Sequence, residues 1–140
     1  MATQTLNPYV NFKANAREAM GFYKSVFGGE LTQSTFAEFG ASSGPADADL
    51  IMHSQLETPA GFTLMASDTP AHLEFKGAGN IGISLSGTDE AALTGYWNKL
   101  ADGATVTQKL ERAPWGDSFG MLKDKYGVDW LVNIAGAPAE

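Results

Sequence analysis

The strongest constraint on this chain is a pattern that occurs twice: two short strands joined by a tight turn that ends in glycine. The first copy runs from Ile51 to Ser67, with its turn at Thr58-Pro59-Ala60-Gly61. The second runs from Ala113 to Asn133, with its turn at Asp124-Lys125-Tyr126-Gly127. Glycine supplies the positive φ that such turns often need. The recurrence predicts one structural unit written twice, with a curved sheet that encloses a cavity between the two halves.

Each half also contains one amphipathic helix. In the first half, Asn15 and Glu18 have the spacing of a capping box, and apolar residues then recur at helical spacing. In the second half, Thr88 is the predicted N-cap of the helix. Gly28 and Gly103 are predicted to end the two helices. The matching order of cap, apolar stripe and glycine supports the internal repeat.

The remaining segments alternate between apolar and polar residues, as strands do. Strands are predicted in the first half over Tyr9–Phe12, Leu31–Glu38, Leu50–Glu57 and Phe62–Ser67. In the second half they are predicted over Asn80–Ser86, Thr105–Glu111, Ser118–Lys123 and Val128–Ile134. The sequence therefore predicts an α+β fold of two βαβββ modules, residues 1–75 and 76–140, which form one compact domain with a curved, open, barrel-like sheet.

Composition narrows the function classes. The chain has 140 residues, a formal net charge of −7 and no cysteine. Thiolate metal sites and disulfides are therefore excluded, and the acidic balance argues against nucleic acid or an anionic membrane as a partner. There is no leader-like N-terminal segment and no apolar run long enough to span a membrane. We expect a cytoplasmic protein that contacts neither nucleic acid nor membrane.

The paired modules resemble the vicinal oxygen chelate superfamily, which has the glyoxalase and bleomycin-resistance fold. The chain is most similar to its PhnB-like branch, through segments at Pro8–Phe12 (PYVNF), Glu18–Glu30 (EAMGFYKSVFGGE), Ile51–Glu57 (IMHSQLE), Leu64–Asp68 (LMASD) and Trp115–Asn133 (WGDSFGMLKDKYGVDWLVN). Members of this branch often carry a ubiquinone-pathway methyltransferase label. No strand–GxGxG–helix segment is present to hold a nucleotide-like methyl donor. The resemblance also implies a homodimer.

In this superfamily each helix packs on the convex side of its sheet, and the concave side lines the binding site. Strand alternation then predicts which side chains face the cavity. The predicted ligand-binding residues on the strands are Tyr9, Asn11, His53, Gln55, Ser67, Asn80 and Ser84. Trp115, in a loop, is predicted to bind ligand as a lid or to form a dimer contact. Ile81 is expected to pack against the second helix, and Asp124 is expected to be solvated on its turn. No catalytic residue is identified.

Metal-dependent members of the superfamily hold their ion with His, Glu or Gln on the first and last strands of each module. The corresponding positions here are Asn7, Met65, Asn80 and Leu131. Amide, thioether and alkyl groups do not hold a hard or borderline divalent cation. We therefore expect no metal and no cofactor.

The leading prediction is a PhnB-like protein that binds a small organic molecule in a polar, mostly uncharged cavity. One alternative is a metal-dependent glyoxalase- or dioxygenase-type enzyme whose ligands lie elsewhere, with His53 and Glu57 as the remaining strand candidates. Another is an antibiotic-sequestering protein of the bleomycin-resistance type, with aromatic residues lining a dimer groove. The loop Gly40–Asp49 is either a lid or a surface excursion.

Overall fold

The computed structural model describes residues 6–38, 40, 44, 48–70, 74–75 and 81–136. Its elements, in chain order, are β1 (Tyr9–Phe12), α1 (Ala16–Phe27), β2 (Glu30–Thr35), β3 (Ile51–Glu57), β4 (Thr63–Asp68), β5 (Ile83–Gly87), α2 (Glu90–Leu100), β6 (Thr105–Arg112), β7 (Ser118–Lys123) and β8 (Asp129–Ile134). This is the predicted order of strand, helix and three strands, present twice, so the α+β fold class is confirmed. Within the described ranges, no helix is long and apolar enough to cross a membrane.

The chain divides into two compact units, Met1–Gly77 and Ala78–Glu140. Each unit contains one four-stranded sheet, with the order β1-β4-β3-β2 in the first and β5-β8-β7-β6 in the second. The first strand of each unit pairs in parallel with the last, and the other pairs are antiparallel. Both sheets are open, with β1 and β2 at the edges of one and β5 and β6 at the edges of the other.

In the first unit, helix α1 packs against β2, β3 and β4. Ser54 lies opposite Ala66 and Leu56 opposite Leu64, so these side chains share the face beneath the helix. The side chains that the helix buries there are Ala16, Ala19, Met20, Tyr23, Val26 and Phe27. Burial of each large apolar side chain contributes roughly 1.5–3 kcal/mol, which makes this layer the core of the unit.

In the second unit, helix α2 packs against β5 and β8 through Leu93, Trp97 and Leu100. The sheet meets it with Leu85, Leu122, Trp130, Val132 and Ile134, which are all buried. Gly120 of β7 permits a close approach, because a Cβ there would lie 2.8 Å from Cη2 of Trp97. The missing side chain therefore makes room for the indole that α2 inserts.

The two glycine turns predicted from the sequence are confirmed. Gly61 has φ +93° and Gly127 has φ +87°. In both turns the glycine N–H donates to the carbonyl oxygen of the first turn residue, at 3.0 Å for Thr58 and 2.9 Å for Asp124. The repeat thus extends to the hydrogen bonds of the hairpins.

The predicted capping box at the start of α1 is wrong. Asn15 occupies the N-cap position, but its side chain makes no capping hydrogen bond. The buried carboxylate of Asp68 takes this role instead, because its Oδ1 accepts from the N–H of Ala16 at 2.9 Å. Its Oδ2 accepts from the N–H of Ile51, also at 2.9 Å. Asp68 therefore ends β4, one residue beyond the predicted strand Phe62–Ser67, and joins the starts of α1 and β3.

Two predictions at the start of the second unit are also wrong. The N-cap of α2 is Asp89, whose side chain accepts from the N–H of Ala92 at 3.0 Å, and not Thr88. Strand β5 begins at Ile83, two residues after Ile81. Ile81 was expected to pack against the helix, but it precedes the strand and is 81% exposed.

Asp124 is not a solvated turn residue, because it is only 4% exposed. Its Oδ1 accepts from the N–H groups of Tyr126 and Val128, at 2.8 and 3.1 Å. Its Oδ2 accepts from Nε1 of Trp130 at 2.8 Å. A carboxylate on the turn thus satisfies the one polar group of a buried indole on the next strand.

Candidate ligand-binding faces

The face of the first sheet that lies opposite α1 is lined mainly by hydroxyl and amide groups. Cross-strand pairing aligns Tyr9 with Met65, Met65 with Gln55, and Gln55 with Thr32. A second alignment pairs Asn11 with Ser67 and His53 with Ser34. Because alternate residues of a strand share a face, these two sets lie side by side. We call this surface the polar face; it consists of Tyr9, Asn11, Thr32, Ser34, His53, Gln55, Met65 and Ser67.

Tyr9 lies across the polar face. Its ring centroid is 6.0 Å from that of His53, with the rings inclined by 39°. Its hydroxyl donates to the carbonyl oxygen of Met52 at 3.5 Å. Because β4 lies between β1 and β3, these contacts carry the ring over β4. The ring remains 48% exposed and offers a flat apolar surface.

Asn11 and Ser67 form the most defined polar contact of this surface. The Ser67 hydroxyl donates to Oδ1 of Asn11 at 3.3 Å. Asn11 is exposed and Ser67 is nearly buried. The bond uses Oδ1 of Asn11 as the acceptor, and the Asn11 amide nitrogen is the donor of the same group.

The described strands of the polar face carry no Lys or Arg, and two carboxylates lie at one end of the face. Glu30 lies directly opposite Glu57 at one end of the β2–β3 pair. Lys13 follows β1 and lies in a bend beyond the strand. Phosphates and carboxylates are bound by clustered cationic side chains or by fixed hydrogen-bond donors. Because the described strands of this surface carry no cationic side chain, it suits a neutral ligand better than an anion.

In the second unit, Ser84 and Trp115 lie in different parts of the surface. Ser84 of β5 is opposite Leu131, which is opposite Met121, on the side away from α2. Trp115 lies in the turn between β6 and β7, is 63% exposed, and has its ring centroid 5.9 Å from that of Phe119. The exposed indole is thus backed by a second aromatic ring.

Asp117 fixes the turn that carries this indole. Its Oδ1 accepts from the N–H of Gly136 at 2.8 Å, and its Oδ2 accepts from Nδ2 of Asn133 at 3.1 Å. The Gly136 backbone bond, and then the Asn133 bond, lower the pKa of the Asp117 carboxyl below its usual value. The ionised carboxylate ties the turn to the end of β8.

The residues at the superfamily's metal-ligand positions do not fit a metal. Asn7 and Met65 offer an amide and a thioether, and Leu131 offers an alkyl group; Asn80 lies outside the described residues. These donors do not replace the imidazole and carboxylate groups that zinc, nickel or iron sites use. Among the described residues, no group of three or more His, Asp or Glu side chains is arranged to hold a metal ion.

Five of the predicted ligand-binding residues lie on the polar face: Tyr9, Asn11, His53, Gln55 and Ser67. Ser84 and Trp115 belong to the second unit. Asn80 and most of the loop Gly40–Asp49 lie outside the described residues. Sequence reasoning missed Thr32 and Ser34, although hydroxyl groups at alternate positions of β2 were the available signal.

The chain matches proteins of known family over most of its length. A family model described as 3-demethylubiquinone-9 3-methyltransferase matches residues 4–133. The crystal structure of protein PA1353 from Pseudomonas aeruginosa is 37% identical, with a TM-score of 0.80, and the match covers 95% of this chain and 98% of that one. A Bacillus cereus structure, a putative 3-demethylubiquinone-9 3-methyltransferase described as a PhnB protein, is 25% identical, with a TM-score of 0.74, over 94% of this chain and 100% of the other.

A more distant match shows the fold alone. The glyoxylase/bleomycin resistance protein/dioxygenase domain from Frankia sp. EAN1pec is 12% identical, with a TM-score of 0.63, over 96% of this chain and 99% of that chain. This fold agrees with the two βαβββ modules and the two open sheets described above. The chain belongs to the PhnB-like family, whose model bears the 3-demethylubiquinone-9 3-methyltransferase description, and it shares the fold of a glyoxylase/bleomycin resistance protein/dioxygenase domain.

Proposed function

We propose that this protein binds a small, neutral, oxygen-rich organic molecule on the polar face without the help of a metal ion. The observation that carries the proposal is the placement of Tyr9, Asn11, His53, Gln55 and Ser67 on one face of one sheet. These residues come from three strands and are far apart in sequence, yet they converge on one surface. Convergent polar groups beside an apolar contact surface are typical of small-molecule sites.

The chemistry of the polar face selects the ligand class. Amide and hydroxyl groups both donate and accept hydrogen bonds without carrying charge. The ring of Tyr9 and the thioether of Met65, which are partners on adjacent strands, add apolar contact. The facing carboxylates of Glu30 and Glu57 oppose the approach of an anion.

A metal-dependent reaction is not part of the proposal, because the available donors are unsuited to a divalent cation. Metal analysis of protein purified without chelators tests this point. We expect substoichiometric nickel, zinc and iron. One equivalent of any of these ions, retained after dialysis, would overturn the metal-free proposal and favour a glyoxalase- or dioxygenase-type enzyme.

Binding is tested with methionine methyl groups as site-specific NMR probes. Met65 lies on the polar face, whereas Met20 belongs to α1, is fully buried, and serves as the internal reference. Protein labelled with ¹³C at the methionine methyls is titrated with a fragment set of lactones, amides and diols. We expect saturable shifts at Met65 and none at Met20. The proposal fails if no member of the set moves Met65 in a saturable way.

Matched variants locate the binding surface. Gln55→Ala removes an amide from the polar face, and we expect it to weaken binding of any fragment that moves Met65. Asn98→Ala removes an amide from an exposed position of α2 and should leave binding unchanged. If Gln55→Ala and Asn98→Ala bind the fragment with equal affinity, the fragment does not bind at Gln55 on the polar face.

A second candidate function is sequestration of a planar, antibiotic-like molecule at Trp115. The exposed indole with Phe119 at its edge is the observation that favours it, because such a ring offers a stacking surface. Trp97 and Trp130 are buried and should not respond. Saturable quenching of tryptophan fluorescence by a planar drug, abolished in Trp115→Ala, would support this function. Quenching that Trp115→Ala leaves unchanged would remove Trp115 from the site.

We further propose that the protein is a homodimer, as the family resemblance implies. Leu6 and Ile81 are nearly fully exposed apolar side chains, at 99% and 81%, and a second copy would shield them from water. Light scattering at micromolar concentration should give twice the chain mass of 14.8 kDa. A mass equal to one chain would contradict the proposal.

A further inference from the structure

The pair formed by Asn11 and Ser67 presents a donor beside an acceptor. Ser67 uses its proton in the bond to Oδ1 of Asn11, so its oxygen lone pairs are the hydrogen-bonding capacity it has left. The Asn11 nitrogen keeps its two protons as donors. A single ligand hydroxyl matches the pair, because it can accept from the Asn11 nitrogen and donate to the Ser67 oxygen. A carbonyl or carboxylate oxygen matches only half of it, since neither can donate.

The neighbouring groups of the polar face also include both hydrogen-bond donors and acceptors. The Gln55 amide contains both a donor and an acceptor, and the imidazole of His53 adds two ring nitrogens that can form hydrogen bonds. The hydroxyl of Thr32, on the strand beside Gln55, donates to the backbone carbonyl oxygen of Gln55 at 3.5 Å. Several mixed groups on one surface favour a ligand with several hydroxyl groups, each of which donates and accepts.

Tyr9 adds the apolar part of such a site. Its ring lies over β4, next to the Asn11–Ser67 pair, and is 48% exposed. A saturated ring that carries hydroxyl groups at its edge has an apolar C–H face that packs on an aromatic ring.

We infer that the ligand of the polar face is a polyhydroxylated ring of the sugar or cyclitol class, with one hydroxyl held between the Asn11 amide nitrogen and the Ser67 oxygen and the ring stacked on Tyr9. This inference rests on the proposed function and narrows its ligand class. A neutral molecule that lacks hydrogen-bond donors would leave the acceptors of the face unpaired.

The test uses defined probes with the Met65 methyl signal as the readout. The probes are myo-inositol, methyl β-glucopyranoside, the anion glucuronate, and ε-caprolactam, which is neutral and has no hydroxyl group. We expect saturable Met65 shifts with inositol or the glucoside and weaker binding of glucuronate, because the facing acids repel it. The Met20 signal, which should not move, reports on the integrity of the fold.

Two variants test the hydroxyl-binding pair. Removal of one hydrogen-bond partner typically costs about threefold to tenfold in affinity, so Asn11→Ala and Ser67→Ala should each weaken polyol binding to this extent. Asn98→Ala should not alter polyol binding. If the Met20 signal of Ser67→Ala shifts, the exposed Asn11→Ala variant decides the question.

The possible outcomes separate the inference from the proposed function. If caprolactam or other neutral fragments move Met65 but the polyols do not, the polyol inference is overturned and the proposed function stands. Polyol binding that is insensitive to both variants also overturns the inference. If no neutral probe moves Met65, both fail. Saturable polyol binding that is weakened by both variants supports both.

Discussion

The hydrogen bond between Asp124 and Trp130 leads to a sharp stability prediction, because the carboxylate has three N–H donors within 3.1 Å. In Asp124→Ala, the backbone N–H groups of Tyr126 and Val128 are partly buried and can bond to water instead. The loss of each bond to the carboxylate therefore lowers the free energy of unfolding by only about 0.5–1 kcal/mol. The Trp130 indole is 2% exposed and is left as a buried donor without this partner, at about 1.5–3 kcal/mol. We therefore expect Asp124→Ala to lower the free energy of unfolding by about 2.5–5 kcal/mol.

The assay is urea unfolding followed by far-UV circular dichroism, with thermal melts in parallel. A loss of this size lowers Tm by about 10–15 °C for a chain of this length. The matched control is Asp129→Ala in the same hairpin. Asp129 pairs with Lys123 at 3.1 Å, but both side chains are about two-fifths exposed, at 40% and 43%. An exposed ion pair contributes less than about 1 kcal/mol, so this variant should unfold almost like the wild type.

A double-mutant cycle with Trp130→Phe isolates the hydrogen bond from the packing of the indole. Residues in direct contact show interaction energies of about 0.5–3 kcal/mol, so the two substitutions should be less than additive. The reasoning is refuted if Asp124→Ala costs no more than Asp129→Ala. Additive effects of the two substitutions would also refute it, because they would mean that the carboxylate does not stabilise the indole.

Three further predictions concern other positions. Asp68→Ala removes the acceptor for two backbone N–H groups at the starts of α1 and β3, and should cost about 2–4 kcal/mol in urea unfolding. Because the pKa of Asp117 is lower in the folded state, its carboxylate stabilises the fold at pH values above the unfolded-state pKa of 3.8. This stabilisation is lost as the pH falls from 3.8 through the folded-state pKa. The difference in stability between wild type and Asp117→Asn should therefore shrink in thermal melts below pH 3.8. Gly29→Ala places a Cβ 2.0 Å from the carbonyl oxygen of Glu57 at φ +104°, whereas Gly61→Ala meets nothing within 4 Å at φ +93°. The left-handed backbone conformation destabilises both variants by about 1–2 kcal/mol, and the clash with the backbone adds to this at Gly29. Gly29→Ala should therefore lower the melting temperature more than Gly61→Ala does.

Each of these predictions has an outcome that contradicts it. Asp102→Ala, at an exposed acid after α2, is the control for Asp68→Ala, and equal losses would mean that the buried carboxylate does not clamp the sheet. A pH-independent difference between wild type and Asp117→Asn would show that the two hydrogen bonds do not depress its pKa. Equal melting temperatures for the two glycine variants would argue against the backbone clash at Gly29.

Several features of the fold were predictable because they depend on neighbouring residues. The hairpin turns that end at Gly61 and Gly127 follow from glycine's freedom at positive φ, and both are confirmed. The apolar stripe of α1 was recognisable from residues at helical spacing, and its residues are buried: Ala16, Ala19, Met20, Tyr23, Val26 and Phe27. In β8, Trp130, Val132 and Ile134 alternate with Asp129, Leu131 and Asn133, and the three residues Trp130, Val132 and Ile134 are the buried ones.

The candidate site was predictable only in part. Alternation assigned Asn11 and Ser67 to one face, but their hydrogen bond depends on the parallel pairing of β1 with β4, strands that are separated by α1, β2 and β3. The contribution of Thr32 and Ser34 depends on the register of β2 against β3, which the sequence pattern did not reveal. Register is set by the combined packing and pairing of two strands and is not a property of either one alone.

The sequence by itself determined the two-fold order of elements, the turns and the alternation of faces, because these follow from backbone conformation and from the spacing of apolar residues within a few positions. Only the tertiary structure decided the roles of the acidic residues. Asp68 caps a helix that begins 52 positions earlier in the chain, and Asp124 satisfies an indole on the next strand. A carboxylate on a turn or strand end has the same local sequence signature whether it faces water or a buried donor. Its role is settled by which N–H groups the folded chain brings within hydrogen-bonding distance.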